Sequence, residues 1–194
     1  MLCSFTRFAG LLLMLALAGC ASMGPPRHTA NLCSLFSERQ DWRASAFQAQ
    51  QRWGAPVSVQ MAIINQESSF VDNARPPRYW FLGLLPLWRT SSAFGYGQAK
   101  DETWDWYISK TGHTQAERDN FADATDFVAW YMNQSHTLLG ISSQDAYRQY
   151  LAYHEGQGGY RRKSYNEKPW LTRVAQKVAN TAKQYAVQLK GCRG

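Results

Sequence analysis

The feature that most constrains the fold is the strongly apolar run from Val57 to Ser68. Pro56 stands immediately before it, where a proline suits the first turn of a helix. A helix that is apolar on most faces has to be enclosed by other elements, so the run predicts a buried core helix. One carboxylate, Glu67, stands near its end and is followed by two hydroxyls, Ser68 and Ser69. A carboxyl in such a position is partly removed from water, which raises its pKa and suits it to general acid catalysis.

Most of the remaining chain has helical periodicity. The predicted helices are Asn31–Gln40, Asp41–Trp53, one that begins at Asp101, Glu117–Leu139, Gln144–His154 with Ser143 as its cap, and Trp170–Leu189. Gly54, Gly140 and Pro169 mark three of the boundaries. Alternation typical of a strand is confined to Tyr79–Leu87. Residues 31–194 are enough for one domain with its own core, so we predict a mainly α, single-domain protein.

The N-terminus is typical of an export signal. Arg7 precedes an apolar run, Phe8–Ala18, that is too short to span a bilayer comfortably as a mature helix. Leu17-Ala18-Gly19-Cys20 resembles a bacterial lipobox, in which the cysteine becomes the lipidated first residue. An ordinary signal peptide with a chance cysteine is the alternative. We predict a lipoprotein signal peptide at residues 1–19, and a lipidated N-terminus and tether at residues 20–30.

The residue after the lipobox cysteine bears on location. Ala21 stands there rather than aspartate, which by resemblance to lipoprotein sorting in Gram-negative bacteria favours the outer membrane. We therefore expect an outer-membrane lipoprotein whose domain faces the periplasm, anchored through Cys20. The tether contains Pro25-Pro26 and reaches at most about 35 Å when extended. A domain held in this way works close to its membrane.

The four cysteines have different expected fates. Cys3 leaves with the signal, and Cys20 is the lipidation site. Cys33 and Cys192 lie near the two ends of the domain, where an oxidising compartment favours a disulfide; two buried free thiols are the alternative. The four histidines are scattered, and no His or Cys cluster has metal-ligand spacing. The sequence therefore predicts no metal and no cofactor.

The chain is basic, with a formal net charge of +7. Removal of residues 1–19 takes away Arg7 and no acidic residue, which leaves +6. A basic surface suits an anionic partner, but an exported lipoprotein rarely meets nucleic acid, so none is expected here. The anionic polymer beside such a protein is the cell wall, with its peptide carboxylates. A charge that only keeps the protein soluble is the alternative.

The segment Val71–Phe94 is rich in proline and in large apolar residues. One interpretation is a small irregular or hairpin insertion near residues 77–93 that packs into the core. A second is a loop that lines a sugar groove, because flat aromatic faces pack well on pyranose rings. A third is an exposed apolar surface for a protein partner or the membrane.

Two later segments carry groups that suit a ligand site beside Glu67. Phe94-Gly95-Tyr96-Gly97-Gln98 is a glycine-rich turn before a helix, where backbone can approach a ligand and Gln98 offers an amide. Ala152-Tyr153-His154-Glu155-Gly156 ends a helix with polar and aromatic groups, and further glycines follow. Considered separately, the first segment is typical of an ordinary turn and the second of the end of a helix, and neither indicates a ligand site.

Together and in this order, the segments resemble the bacterial lytic transglycosylases of the soluble lytic transglycosylase type, which share a fold with goose-type lysozyme. The family pattern is a Glu-Ser pair, then Gly-Leu-Met-Gln, then Ala-Tyr-Asn-x-Gly, and here it appears as Glu67-Ser68, Gly95–Gln98 and Ala152–Gly156. The resemblance spans residues 57–178. Tyr96-Gly97 replaces Leu-Met of the second motif, and His154 replaces the Asn of the third.

The resemblance implies a lysozyme-like domain that cleaves the β-1,4 bond between N-acetylmuramic acid and N-acetylglucosamine in peptidoglycan. Glu67 would protonate the bridging oxygen and then, once ionised, take the proton of the muramoyl C6 hydroxyl. That hydroxyl attacks the anomeric carbon and gives a 1,6-anhydro product, without a protein nucleophile. The implied substrate-binding residues are Ser68, Ser69, Gln98, Tyr153, His154 and Glu155, with Tyr153 hydrogen-bonding near Glu67.

Three alternatives stay open at this point. A hydrolase of the lysozyme kind needs a second carboxylate to activate water, and Asp72 and Glu155 are the candidates. A non-catalytic peptidoglycan-binding lipoprotein would keep the fold for sugar recognition. A lytic enzyme within a secretion or division complex would use Val71–Phe94 as its docking surface for a protein partner.

Overall fold

The computed structural model describes residues 24–81 and 85–192. The predicted signal peptide, Cys20 and the middle of the 77–93 insertion therefore lie outside the described residues. Among those described, no helix is both long and apolar enough to cross a bilayer.

The fold is mainly helical, which confirms the predicted class. In chain order the elements are α1 (Leu32–Glu38), α2 (Gln40–Trp53), α3 (Val57–Ser68), β1 (Arg78–Phe81), β2 (Leu85–Arg89), α4 (Asp101–Thr111), α5 (Phe121–Leu139), α6 (Ala146–Arg161), a short 3₁₀ helix (Ser164–Glu167) and α7 (Pro169–Gly191). The apolar run Val57–Ser68 forms α3, with the bounds expected from the sequence.

Two helix starts differ from the prediction because other side chains cap them. The Asn120 side chain accepts the backbone N–H groups of residues 122 and 123, so α5 begins at Phe121 rather than at Glu117. Asp145, not Ser143, caps α6 by accepting the N–H of Arg148. Several polar residues that could cap a helix stand close together before each of these two helices. The sequence alone therefore does not single out the residue that caps each one.

Helix α6 also continues past the predicted end at His154. Gly156 has a backbone conformation outside the helical region, with φ 71° and ψ 161°, yet helical turns resume after it and run to Arg161. The third sequence motif therefore lies on a kinked helix rather than at a helical stop. The kink brings Glu155 towards the 3₁₀ helix that follows.

Helix α3 occupies the centre of the domain and packs on α2, α5 and above all α7. Met61, Ile63 and Ile64 are fully buried, and each contributes roughly 1.5–3 kcal/mol by leaving water. Nε2 of the buried Gln60 amide donates to the carbonyl oxygen of Ala55 at 2.7 Å, which links the start of α3 to the turn before it. This enclosure is what fixes the position of Glu67 at the C-terminal end of the helix.

An aromatic cluster holds the segments that flank the site. The rings of Trp42 and Phe121 stack with their centroids 4.0 Å apart, and Tyr96 meets Trp42 edge-on at 5.5 Å. Phe70, which follows the end of α3, packs against the same tryptophan at 5.8 Å. Aromatic pairs of this kind add about 0.5–1.5 kcal/mol each beyond their buried area. The cluster thus ties the end of α3 to the glycine-rich turn.

Residues 24–30, which belong to the segment predicted to be a tether, contact the helical domain. Arg39 donates to the carbonyl oxygen of Gly24 at 2.5 Å, and the Glu38 carboxylate accepts the N–H of Arg27 at 3.1 Å. The hydroxyl of Tyr185 donates to the carbonyl oxygen of Thr29. Nothing in the composition of the segment indicates these contacts, because its partners are contributed by distant helices.

A disulfide joins Cys33 to Cys192, with an S–S distance of 2.01 Å. It links α1 to the end of α7 and closes a loop of 159 residues, so it staples the two ends of the domain.

Strands β1 and β2 form an antiparallel hairpin, as one interpretation of residues 77–93 expected. Arg78 is opposite Arg89 and Phe81 is opposite Leu85, with an irregularity in register between them. The strands pair with each other, and among the described residues neither has a substantial contact with a helix.

Candidate active site

Glu67 stands in the last turn of α3, where the backbone turns sharply. Ser69 and Phe70 both have positive φ, 52° and 62°, a region that residues other than glycine seldom occupy. The Ser69 N–H caps the helix by donating to Asn65 at 2.9 Å, and buried Phe70 holds the turn from the other side. Backbone in sparsely populated conformations is concentrated at functional sites. Here it ends the helix directly after the carboxylate.

The Glu67 carboxyl lies deep in the fold while its side chain remains partly exposed. Burial raises its pKa to about 7, and a hydrogen bond from the Tyr150 hydroxyl opposes this rise. No cation forms an ion pair with it among residues 24–81 and 85–192. A pKa near 7 means that Glu67 can hold its proton close to neutral pH. A carboxyl that is protonated at neutral pH and open to solvent can donate a proton to a bound ligand.

Tyr150 is the functional residue that sequence reasoning missed. It is buried, and both burial and the nearby carboxylate of Glu67 raise the pKa of its hydroxyl, so it stays protonated and donates. It lies on the same helical face as Tyr153, three residues earlier. That spacing was visible in the sequence, but the motif drew attention only to Tyr153.

Tyr153 lies near Glu67 and connects α6 to the glycine-rich turn. Its hydroxyl donates to the carbonyl oxygen of Gly97 at 2.5 Å. The pKa of the Tyr153 hydroxyl is raised mainly by burial. The carboxylate of Glu67, which lies nearby, raises it further. The tyrosine that hydrogen-bonds Glu67 is Tyr150, whereas Tyr153 joins α6 to the glycine-rich turn.

The glycine-rich turn needs its two glycines for steric reasons. Gly95 has φ 79°, and a Cβ there would lie 2.0 Å from the carbonyl oxygen of Arg118. At Gly97 a Cβ would meet the Tyr153 hydroxyl at 3.1 Å and Val128 at 3.2 Å. The turn is therefore pressed against α5 and α6, which explains why Gly97 stands in the second motif of this chain.

Gln98 holds this turn through the nitrogen of its side-chain amide. Its Nε2 donates to the carbonyl oxygens of Ala74 and Gly95, at 2.8 Å each. Its amide nitrogen is therefore committed to the backbone, and only Oε1 remains for a saccharide. Its own φ of 48° makes it a further strained residue of the site.

The two serines after Glu67 have different environments. Ser68 is buried and its hydroxyl donates to the carbonyl oxygen of Ile64 at 3.2 Å. Ser69 is exposed. Of this pair, only Ser69 is placed to reach a ligand.

Glu155 is a buried ion-pair residue. Its side chain is only 4% exposed, and its oxygens lie 2.7 and 3.0 Å from Nζ of Lys168. The Ser164 hydroxyl donates to it as well, and Nδ1 of His154 lies 3.1 Å away. Burial alone would raise its pKa, but these hydrogen bonds outweigh burial and lower the pKa to about 2. Both oxygens of Glu155 therefore have hydrogen-bond partners within the domain.

His154 and Trp170 form an exposed aromatic pair at this end of the domain. Their ring centroids are 5.2 Å apart and their planes nearly perpendicular. Trp170 is 47% exposed, which is unusual for so large a side chain. The pair leaves a flat aromatic face beside the motif that carries Tyr153.

Asp72, the other candidate for a second carboxylate, lies in a different hollow. Its Oδ1 accepts the N–H of Asn73 at 2.7 Å. It lines a cavity of about 200 Å³ together with Pro26, Trp42 and Tyr96. Within the described part of the chain, no group of three or more His, Cys, Asp or Glu side chains could hold a metal ion.

Comparison with known proteins agrees with this geometry. The model of the family described as "Transglycosylase SLT domain" matches residues 8–192, nearly the whole chain. A search of curated proteins found no match to the chain. Because the match covers far more than half of the chain and the fold is the mainly helical, lysozyme-like one, the chain belongs to the transglycosylase SLT domain family, and it is a peptidoglycan lytic transglycosylase.

Proposed function

We propose that Glu67 is the general acid and base of a reaction that cleaves the β-1,4 bond between N-acetylmuramic acid and N-acetylglucosamine. The observation that supports this most directly is its carboxyl, whose pKa burial raises to about 7 while the side chain stays partly open to solvent. A general acid works best when its pKa lies near the working pH. Within residues 24–81 and 85–192, Glu67 meets that condition without an ion-pair partner.

The reaction begins with proton transfer from Glu67 to the bridging oxygen. As the glycosidic bond breaks, the muramoyl ring approaches an oxocarbenium-like state and Glu67 becomes ionised. Glu67 then takes the proton of the C6 hydroxyl of the same sugar, whose oxygen bonds to the anomeric carbon. The products are a free N-acetylglucosamine end and a 1,6-anhydromuramoyl end. One carboxylate suffices because the nucleophile is held in place within the substrate.

The residues around Glu67 would support this cycle in different ways. Tyr150 donates to the carboxylate and so holds it in place and stabilises its ionised form. Tyr153 fixes the glycine-rich turn through Gly97. Ser69, Oε1 of Gln98 and the exposed pair of His154 and Trp170 are the groups left to contact the glycan strand.

The hydrolytic alternative has weaker support. It needs an ionised carboxylate that is free to accept a proton from water. Glu155 is ionised, but Lys168, Ser164 and His154 occupy its oxygens. Asp72 lines a hollow with Pro26 and the aromatic cluster. A non-catalytic wall-binding protein would have no need of a carboxyl whose pKa is raised to about 7.

Mass spectrometry of the products from purified sacculi tests the assignment. We expect wild-type protein to release anhydromuropeptides and Glu67→Gln to release almost none. Reducing ends without anhydro ends would establish hydrolysis instead. Anhydro products from Glu67→Gln at the wild-type rate would remove Glu67 from the mechanism, and binding to sacculi without any product would favour the non-catalytic alternative.

We further propose that Cys20 carries a lipid that anchors the enzyme to the outer membrane, with the domain in the periplasm. The lipobox-like sequence Leu17-Ala18-Gly19-Cys20 and Ala21 support this. Labelling of cells with an alkynyl fatty acid should mark the wild-type chain and not Cys20→Ala. A protein partner at residues 77–93 remains a sequence-based proposal, and capture of a partner that depends on these residues would support it.

A further inference from the structure

The N-terminal segment, residues 24–30, reaches the turn that ends α3. Pro26 is buried, whereas Pro25 beside it is exposed. Pro26 lines a cavity of about 200 Å³ together with Phe70, whose side chain is only 1% exposed. Phe70 follows Glu67 by three residues and belongs to the turn with positive φ. The two side chains face one hollow, so Pro26 limits the space into which Phe70 can move.

A second connection runs through the hydroxyl of Tyr185, a fully buried residue of α7. This hydroxyl donates to the carbonyl oxygen of Thr29 and accepts from Nδ2 of Asn65 at 2.9 Å. The carbonyl oxygen of Asn65 in turn accepts the Ser69 N–H at 2.9 Å. Asn65 and Ser69 stand two residues before and two residues after Glu67. One tyrosine therefore joins the N-terminal segment to the helical turn that carries the carboxyl.

The N-terminal segment is itself fixed on α7. The carbonyl oxygen of Ala30 accepts from the side-chain amides of Gln184 and Gln188, at 3.3 and 3.2 Å. Oε1 of Gln188 also accepts the N–H of Leu32 at 2.8 Å, just after the segment. A segment that is hydrogen-bonded to a long helix at several points can serve as a fixed support, which a flexible linker could not.

The turn after Glu67 depends on support from outside because its backbone is strained. Ser69 and Phe70 both have positive φ, and such backbone persists only where the surrounding structure fixes it. A shift of the turn would move the carboxyl away from the glycosidic oxygen, and small displacements of a catalytic group lower rates steeply. The same shift would admit water to the carboxyl and stabilise its ionised form.

From these contacts we propose that Pro26 and Tyr185 are positioning residues, through which the N-terminal segment holds Glu67 in its reactive position. Both act through the strained turn rather than by contact with the substrate. The effect on rate rests on the proposed catalytic role of Glu67, whereas the effect on the position of its carboxyl does not. Because the segment leads towards Cys20, the support comes from the part of the chain that would join the domain to its lipid.

Steady-state kinetics on soluble glycan strands test the proposal, with the protein purified in detergent as cells process it. Tyr185→Phe removes the hydroxyl that joins Thr29 to Asn65 and should lower kcat about tenfold, because the carboxyl is displaced. Pro26→Gly should lower kcat about fivefold for the same reason. KM should stay within about twofold of the wild type in both, since neither residue binds the substrate.

Each variant has a matched control. Tyr107 is as fully buried as Tyr185, but its hydroxyl donates to Asp126 at 2.7 Å, away from the N-terminal segment and α3. Tyr107→Phe therefore removes a comparable buried hydrogen bond. Pro25→Gly makes the same backbone change as Pro26→Gly at an exposed position. Both controls should keep the wild-type kcat and KM, and circular dichroism establishes that each variant is folded at the assay temperature.

A second measurement reports the environment of the carboxyl without any assay of activity. An NMR titration of protein labelled with ¹³C at glutamate gives the pKa of Glu67, whose signal is identified by its loss in Glu67→Gln. Tyr185→Phe and Pro26→Gly should lower this pKa from about 7 towards 4.5, because a displaced turn lets water reach the carboxyl. Tyr107→Phe should leave it unchanged.

Three results would overturn the proposal. A folded Tyr185→Phe with the wild-type kcat and the wild-type pKa of Glu67 would show that the segment does not position the carboxyl. Equal losses in Tyr107→Phe would reduce the effect to one of stability. A raised KM with unchanged kcat would place these residues in substrate binding. If Glu67→Gln kept the wild-type activity, the catalytic role of Glu67 would fail, and the NMR titration would still decide whether the segment positions its carboxyl.

Discussion

Glu67 at the end of α3 and Glu155 at the kink of α6 are two glutamates of one domain with opposite properties. Burial raises the pKa of Glu67 to about 7, and only Tyr150 opposes the rise. Glu155 is also buried, yet hydrogen bonds from Lys168, Ser164 and His154 lower its pKa to about 2. Both belong to sequence motifs that resemble those of lytic transglycosylases. A place in a motif therefore does not determine the pKa of a carboxyl group. The number of hydrogen-bond donors around the carboxyl group separates Glu155 from Glu67.

The physical lesson concerns what each environment stabilises. The site of Glu67 favours the neutral acid and tolerates the anion, which suits a group that must change its charge during a reaction. The site of Glu155 stabilises the anion alone, which suits a fixed element that joins α6, the 3₁₀ helix and α7. The predictions below test this division, from the largest expected effect to the smallest.

Glutamine at the two positions should have unequal effects on activity. Glu67→Gln removes the transferable proton and should lower the initial rate on sacculi by about 10³-fold, the usual contribution of a general acid. Glu155→Gln, assayed at a temperature where it is folded, should keep its rate within a few-fold of the wild type. Measured rates of anhydromuropeptide release compare the two. Comparable losses in both variants would mean that Glu155 takes part in the chemistry.

Stability should respond in the opposite order. Glu155→Gln removes the partner of Lys168, whose side chain is 40% exposed, and should lower the free energy of unfolding by about 1–2 kcal/mol at pH 7. Denaturant unfolding followed by circular dichroism gives this value. Lys168→Gln and the double variant complete a mutant cycle, and the two single losses should not add. Additive losses would mean that the ion pair is not the stabilising element.

The two glutamates should also give opposite pH dependences of stability. The lowered pKa of Glu155 means that its contribution is present above the unfolded value near 4.5 and is lost as pH falls towards about 2. The raised pKa of Glu67 means that the folded state binds its proton more tightly, so stability declines as pH rises from about 4.5 to about 7. Glu67→Gln should therefore stabilise the domain above pH 7, by about 1–2 kcal/mol because the side chain is partly exposed.

Melting temperatures across pH check this without any assay of activity. The difference between Glu67→Gln and the wild type should be small near pH 4 and reach its plateau above pH 7. For Glu155→Gln the deficit should be full at pH 7 and shrink below pH 4.5. A pH-independent difference for Glu67→Gln would mean that its pKa is not shifted in the folded state.

The sequence predicted the helical class and the burial of the Glu67 carboxyl because both depend on local patterns. The apolar run of α3 predicts its own burial, and a carboxylate at its end is desolvated wherever the surrounding helices come from. The roles of Gln98 and Glu155 could not be reached in that way. Gln98 donates to the carbonyl oxygen of Ala74, and Glu155 pairs with Lys168 across a kink, so both depend on contacts between segments that the sequence does not pair.

The smallest expected effect distinguishes the two tyrosines of α6. Tyr150 donates to Glu67 and lowers its pKa, so Tyr150→Phe should raise that pKa further and move the alkaline limb of kcat/KM to higher pH. Tyr153 donates to the carbonyl oxygen of Gly97, so Tyr153→Phe should leave the limb in place and act through the position of the turn. The limb moves to higher pH because protonated Glu67 is the active form. Loss of the hydrogen bond that Tyr150 donates to the carboxylate destabilises ionised Glu67 and so favours the protonated form. A pH–rate profile for each variant decides the matter. If the limb moves with Tyr153→Phe and not with Tyr150→Phe, the tyrosine that positions Glu67 is Tyr153, which belongs to the motif. That result would refute the view that a donor outside the motifs sets the pKa of Glu67.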